Sequence, residues 1–230
     1  HQLLDGYLVN QRNGVLDEGF EPPEQGGIMR REFAGEFFGT ALMVGVGCGS
    51  VALGASHAIV SLAFGAAVTL AIVVFGPLSG AHINPAVSIA FWRDGQLEGR
   101  LLPSYVVAQC LGAIAGSLIV SGAAPTSVAS SLTLMEGFSI EIAITAGLMA
   151  SILLVVQRSS SRTTVAVWVG GTVALLAFIA GPMTGASMNP ARTLGPNLLN
   201  GMWASLPFYV ASTVLGAWLG CDIKNRWFPD

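Results

Sequence analysis

Charge is what this chain has least of. Only 10% of its 230 residues are Asp, Glu, Lys or Arg, against about a quarter in a typical soluble domain. So few charges cannot coat a soluble globule of this length, while 53% of the residues are hydrophobic and the mean hydropathy is +0.67. A bilayer is the solvent that suits such a composition. Basic runs are absent and the formal net charge is -3, so there is no electrostatic footprint for a nucleic-acid partner. Cysteine is scarce too. Cys48, Cys110 and Cys221 form no CxxC pair and each lies in or at the end of an apolar run, so they read as small packing residues rather than disulfide or metal ligands. No nucleophile–base pair and no metal-ligand cluster stands out. The expectation is no catalytic residue, no metal and no cofactor, and therefore no enzyme.

Residues 1–28 differ from the rest. They are polar, carry Asp5, Asp17, Glu18, Glu21 and Glu24, and include Pro22-Pro23 and Gly26-Gly27. They lack the continuous apolar core of a signal peptide. Met29-Arg30-Arg31 looks like a natural start, so residues 1–28 read as a polar N-terminal extension or a remnant of cloning, and residues 29–230 as one membrane domain.

Six apolar runs come close to the ~20 residues a helix needs to cross a bilayer. They are Phe33 to Leu53, Ala58 to Leu78, Leu101 to Val120, Phe138 to Val156, Val165 to Pro182 and Ala204 to Cys221. Two further apolar pieces, Asn84 to Trp92 and Asn189 to Leu199, are too short to span. They read as re-entrant half-helices, tolerated at membrane depth when they are buried in protein or line a wet cavity. With the N-terminus inside, Arg30, Arg31, Arg93, Arg100, Arg158, Arg162, Lys224 and Arg226 all fall on the cytoplasmic side, as the positive-inside rule asks. Both termini are then cytoplasmic. Arg192, in the second short piece, is the exception. Gly35 and Gly39, Gly112 and Gly116, and Gly216 and Gly220 form small-xxx-small pairs, the usual device for close helix packing in membranes.

The chain also contains itself twice. Gly76-Pro77-Leu78-Ser79-Gly80-Ala81-His82-Ile83-Asn84-Pro85-Ala86 recurs 105 residues later as Gly181-Pro182-Met183-Thr184-Gly185-Ala186-Ser187-Met188-Asn189-Pro190-Ala191, with seven of eleven positions identical. The same offset relates Glu36 to Glu141 and Thr40 to Thr145. The first repeat runs over about 32–120 and the second over about 136–227. Each holds three spans, so the second copy sits inverted, and inverted repeats place functional sites near the bilayer midplane. Asn is a preferred N-cap and Pro is favoured at the first helical position, so each Asn-Pro-Ala reads as the start of a short helix. Two such starts meeting from opposite faces each carry about half a positive charge, which repels cations. A water oxygen that accepts from Asn84 and Asn189 together cannot accept from the next water, and this interrupts a proton relay.

Arg192 follows the second Asn-Pro-Ala directly. A cation in the first turn of a helix opposes the macrodipole and is costly in a membrane unless it faces a cavity. It suits a selectivity ring better than a stability role. Glu36 and Glu141, the acids within spans, are expected to brace the re-entrant loops by accepting from their backbones. The alternative use of these acids is proton coupling in a secondary transporter of a small neutral solute. His82 is expected to brace its loop.

The paired Asn-Pro-Ala boxes, the Ser79-Gly80-Ala81-His82 lead-in, Glu36-Phe37-Phe38-Gly39-Thr40 and Asn189-Pro190-Ala191-Arg192 resemble the aquaporin (major intrinsic protein) family over about residues 29–227. The resemblance is to bacterial-type members, with some likeness to nodulin-like intrinsic proteins. It implies an all-α membrane protein of six spans and two half-helices, a homotetramer with one pore per subunit, and passive conduction of water. It also implies small uncharged solutes such as glycerol, urea or metalloid hydroxides, with protons and ions excluded. It implies a bacterial inner (plasma) membrane setting, with the lipid bilayer, water and neutral solutes as partners. By the same resemblance, the selectivity constriction falls at Phe64, Ala177, Ala186 and Arg192. Ala177 departs from strict water channels, which usually carry His there. Thr193 departs from glycerol channels, which usually carry an acid after the arginine.

Overall fold

The computed structural model describes residues 25–120 and 123–229. Residues 1–24, the greater part of the polar extension, lie outside the described residues, and residues 25–28 already belong to the first helix. Every described element is helical. The first repeat comprises α1 (Gln25–Ala52), α2 (His57–Ser79), the half-helix α3 (Pro85–Arg93) and α4 (Leu102–Ile119). The second comprises α5 (Leu134–Arg158), α6 (Arg162–Thr184), the half-helix α7 (Pro190–Leu199) and α8 (Leu206–Trp227), the last entered through a 3-10 turn at Trp203–Ser205. Among the described residues, six helices are long and apolar enough to cross a membrane.

The helices outrun the apolar runs where polar chemistry extends them. Helix α5 begins at Leu134 rather than Phe138, because Thr133 and Glu136 close a reciprocal capping box that satisfies two of the otherwise orphaned N–H groups. Helix α8 runs on to Trp227, with Lys224 and Arg226 in its last turn, where cations complement the negative end of the dipole. Hydrophobicity is turned outward. Phe38, Leu62, Leu118, Ile119 and Leu175 are exposed on the outer faces, whereas Glu36, Gln109, Glu141, Asn84 and Asn189 are buried.

The packing shows the internal repeat in space. Helix α1 packs on α2 and α4 as α5 packs on α6 and α8. Each half-helix lies against the last long helix of the other repeat, α3 on α8 and α7 on α4. Absent side chains allow these approaches. A Cβ on Gly112 would stand 2.3 Å from the Phe37 carbonyl oxygen and one on Gly116 2.5 Å from that of Ala41. In the second repeat, Gly216 and Gly220 meet Ile142 O at 2.6 Å and Ala146 O at 2.5 Å in the same way. The two repeats are joined where α2 crosses α6. There Gly65 and Gly170 face one another, each hypothetical Cβ lying 2.5 Å or 2.4 Å from the other's carbonyl oxygen. This crossing sets the rotation of both helices about their axes, and so decides which side chains face the space between them.

Candidate functional site

The two re-entrant loops begin where α2 and α6 end in left-handed glycines, Gly80 (φ 84) and Gly185 (φ 75). Beyond them the backbone takes positive φ at residues that ordinarily avoid it: Ala81 (51), Ile83 (47), Ala186 (43) and Met188 (51). Such conformations cost on the order of 1 kcal/mol or more each and persist only where the surroundings impose them. The imposing groups are the two buried carboxylates. Glu36 Oε1 accepts from Ser79 Oγ (2.7 Å) and His82 N (2.9 Å), and Oε2 from Ile83 N (2.6 Å) and Gln109 Nε2 (2.7 Å). Glu141 repeats the arrangement with Thr184 Oγ1 (2.6 Å), Ser187 N (2.8 Å) and Met188 N (3.0 Å). Each acid holds two loop backbone N–H groups together with the side-chain donors around them.

A second set of braces was not visible in the sequence pattern. Tyr105 Oη donates to the Ser79 carbonyl at 2.6 Å, and Tyr209 Oη to the Thr184 carbonyl at 2.7 Å. These tyrosines are 104 residues apart, one short of the offset that relates the loops, so an alignment at constant spacing misses the pair. His82 packs between Phe91 (centroids 4.5 Å) and Tyr105 (5.1 Å), with Nδ1 3.2 Å from Ser88 Oγ. Its counterpart Ser187 reaches Thr193 Oγ1 at 2.6 Å. Residue 82 binds residue 88 as residue 187 binds residue 193.

Asn84 and Asn189 cap the half-helices. Asn84 Oδ1 accepts from Ala86 N at 2.9 Å, and Asn189 Oδ1 from Ala191 N at 2.9 Å and Arg192 N at 3.3 Å. Pro85 and Pro190 occupy the first helical position. The two caps are tied across the repeat interface. Asn84 Nδ2 donates to Met188 O and Asn189 Nδ2 to Ile83 O, both at 2.8 Å. Each amide nitrogen has two hydrogens. One of Asn84 is therefore left for the lumen. The other of Asn189 lies toward Met43 Sδ at 3.8 Å, a weak acceptor that a water oxygen outcompetes.

The lumen is a cavity of about 380 Å³ that Asn84, Asn189, Phe64, Ala177, Ala186 and Arg192 all line. On α6 its wall is the stripe Val169, Val173, Ala177 and Gly181, residues four apart that share one helix face. Phe178 points away and is 52% exposed. The Arg192 guanidinium stands 4.8 Å over the Phe64 ring and donates to the Ala124 carbonyl through Nη1 at 3.4 Å. Ala124 is held there by its neighbour Thr126, another residue that the sequence pattern did not single out. Thr126 N donates to Asn197 Oδ1 (2.8 Å), Asn197 Nδ2 to Thr126 O (3.0 Å), and Thr126 Oγ1 to Thr193 Oγ1 (2.9 Å). Thr193, where an acid was noted as missing, thus joins the outer loop to the half-helix by a chain of hydroxyls.

A largely apolar cavity with a few convergent donors, where two half-helix N-termini meet inside six apolar helices, defines a membrane channel. The major intrinsic protein family matches residues 27–223, and the chain belongs to that family. It is 37% identical to Aquaporin NIP1-1 of Zea mays, over 98% of this chain and 87% of the relative. It is 33% identical to the glycerol uptake facilitator protein of Pseudomonas aeruginosa, over 80% of this chain and 84% of the relative. The X-ray structure of the aquaglyceroporin from Plasmodium falciparum superposes with a TM-score of 0.80 at 27% identity, covering 86% of this chain and 96% of that one. The family consists of channels for water and small solutes and not of enzymes, and this chain is an integral membrane protein.

Proposed function

We propose that this channel passes water together with small uncharged hydroxylated or amide solutes, of which glycerol, urea and arsenous acid are the representatives to test, and that it excludes protons and ions. The observation that carries this reading is the wall opposite Arg192. Ala177 and Ala186 contribute only methyl groups there, so of the four constriction residues Phe64 and Arg192 are the ones that bring bulk. Asn84 and Asn189 act as the paired donors at the centre, with Pro85, Ala86, Pro190 and Ala191 fixing the two helix starts. Glu36, Glu141 and His82 act as loop braces. The similarity to both a nodulin-like aquaporin and a glycerol facilitator accords with a mixed selectivity. The test is flux into proteoliposomes. Water and glycerol should enter downhill without saturation, and no proton current should accompany them. A proton flux comparable to the water flux, or saturable solute entry, would refute the reading.

The channel unit is proposed to span about residues 29–230, to assemble as a homotetramer as the family resemblance implies, and to keep both termini in the cytoplasm. The relatives come from plants and mouse as well as a bacterium, so they lend no particular support to a bacterial inner membrane. The Lys and Arg distribution is what supports the orientation. A reporter fused after Asp230 should be active on the cytoplasmic side, and activity only on the outside would reverse it.

A further inference from the structure

The lumen-facing stripe of α6 ends outward at Gly181, one turn beyond Ala177. The space over Gly181 is filled from the other repeat by His57, the first residue of α2. A Cβ on Gly181 would stand 2.7 Å from His57 Cε1, so the missing side chain is what admits the ring. The imidazole stacks on Phe178 with centroids 5.2 Å apart and planes 21° from parallel. Its Nε2 lies 2.8 Å from the Phe178 carbonyl oxygen. A carbonyl only accepts, so Nε2 carries a proton, and of the two imidazole tautomers the one this contact selects has its lone pair on Nδ1. No described residue occupies that lone pair. His57 and Arg192 line the same cavity.

These two groups are chemically complementary. A guanidinium offers donors and no acceptor. A hydroxyl entering the constriction is itself a donor, and stripping it of water leaves its hydrogen unpaired, which is costly. Water escapes this cost because each molecule can donate to the next one in the passage. A polyol has carbon where that next water would be, and so needs an acceptor from the wall. We propose that His57 is the hydroxyl-accepting specificity residue of the outer mouth, taking a hydrogen bond at Nδ1 from a neutral polyhydroxylated solute as it approaches Arg192. This rests on the reading of the lumen as a path for such solutes.

The test compares glycerol and water permeability of proteoliposomes carrying wild type, His57→Phe, His57→Gln and Gly181→Ala. Phenylalanine keeps the stacked ring and removes the acceptor. The glycerol-to-water ratio should fall about fivefold, the size of one net hydrogen bond. Glutamine offers an N–H for the Phe178 carbonyl and an oxygen for the solute, and should stay within about twofold of wild type. Gly181→Ala displaces the ring without altering its chemistry, and should lower the ratio as His57→Phe does. An unchanged ratio in His57→Phe or Gly181→Ala, or an equal fall in the phenylalanine and glutamine variants, would overturn the proposal. Wild-type protein that passes water but no glycerol would instead overturn the function on which it rests.

Discussion

Glu36→Ala is expected to abolish the folded channel rather than to alter its selectivity. The carboxylate receives four donors, Ser79 Oγ, His82 N, Ile83 N and Gln109 Nε2, and alanine takes that acceptor from all of them, Gln109 Nε2 alone keeping a second one in Ser88 Oγ. Each such orphan costs roughly 1–3 kcal/mol, and the whole margin of a folded domain is about 5–15 kcal/mol. The loop also loses what holds Ile83, a β-branched residue, at φ 47, a conformation such residues avoid. Glu36→Gln keeps one accepting oxygen and turns an NH2 toward groups that are themselves donors, so it should fall between. Glu141→Ala should behave alike, with Thr184, Ser187 and Met188 orphaned. The measurements are thermal unfolding in detergent and water flux in liposomes. Were Glu36→Ala to melt and conduct water as wild type does, the bracing role would be wrong. A variant that folded and lost only proton-linked transport would favour a coupled transporter.

Ala177→His should convert the channel toward strict water selectivity. Ala177 sits in the lumen wall, 8% exposed, on the stripe that continues to Gly181. An imidazole there projects toward Phe64 and Arg192, which stand 4.8 Å apart, and takes up the width that a carbon skeleton needs. Forcing a solute past extra bulk costs on the order of 1–3 kcal/mol by analogy with overpacked sites. At about 1.4 kcal/mol per factor of ten, glycerol flux should drop roughly tenfold or more. Water, one oxygen wide, should lose only a small factor. Swelling assays on the two proteins decide it, and equal losses for water and glycerol would contradict the assignment of Ala177 to the constriction. Residue 177 is the position to change because Phe178 on α6 faces away from the lumen and holds His57.

The capping geometry could be read from the chain because it is local. Asn followed by Pro states a helix start whatever surrounds it, and Asn84 and Asn189 cap α3 and α7. The carboxylate braces were legible for a different reason. Glu36 and Glu141 share the 105-residue offset of the loops they hold, so the repeat links partners far apart in sequence. Tyr105 and Tyr209 escaped because α4 and α8 are related by an offset of 104. Thr126 escaped because its outer connection has no counterpart in the repeat, and its partners Thr193 and Asn197 lie 67 and 71 residues away.

The sequence by itself determined the six spans, the two half-helices, the inverted repeat and the meeting of two capped helix starts. These follow from apolar length, from contiguous capping residues and from internal similarity, and each is a property of the chain before it packs. Only the tertiary structure decided what faces the lumen. That depends on the rotation of each long helix about its axis, and glycine contacts set the rotation: Gly65 against Gly170, Gly112 and Gly116 against α1, Gly216 and Gly220 against α5. One residue's turn of the helix, about 100°, separates Ala177 in the wall from Phe178 outside it. The same crossings bring His57 from one repeat over the bare backbone of Gly181 in the other, a contact between residues 124 positions apart that no local pattern specifies.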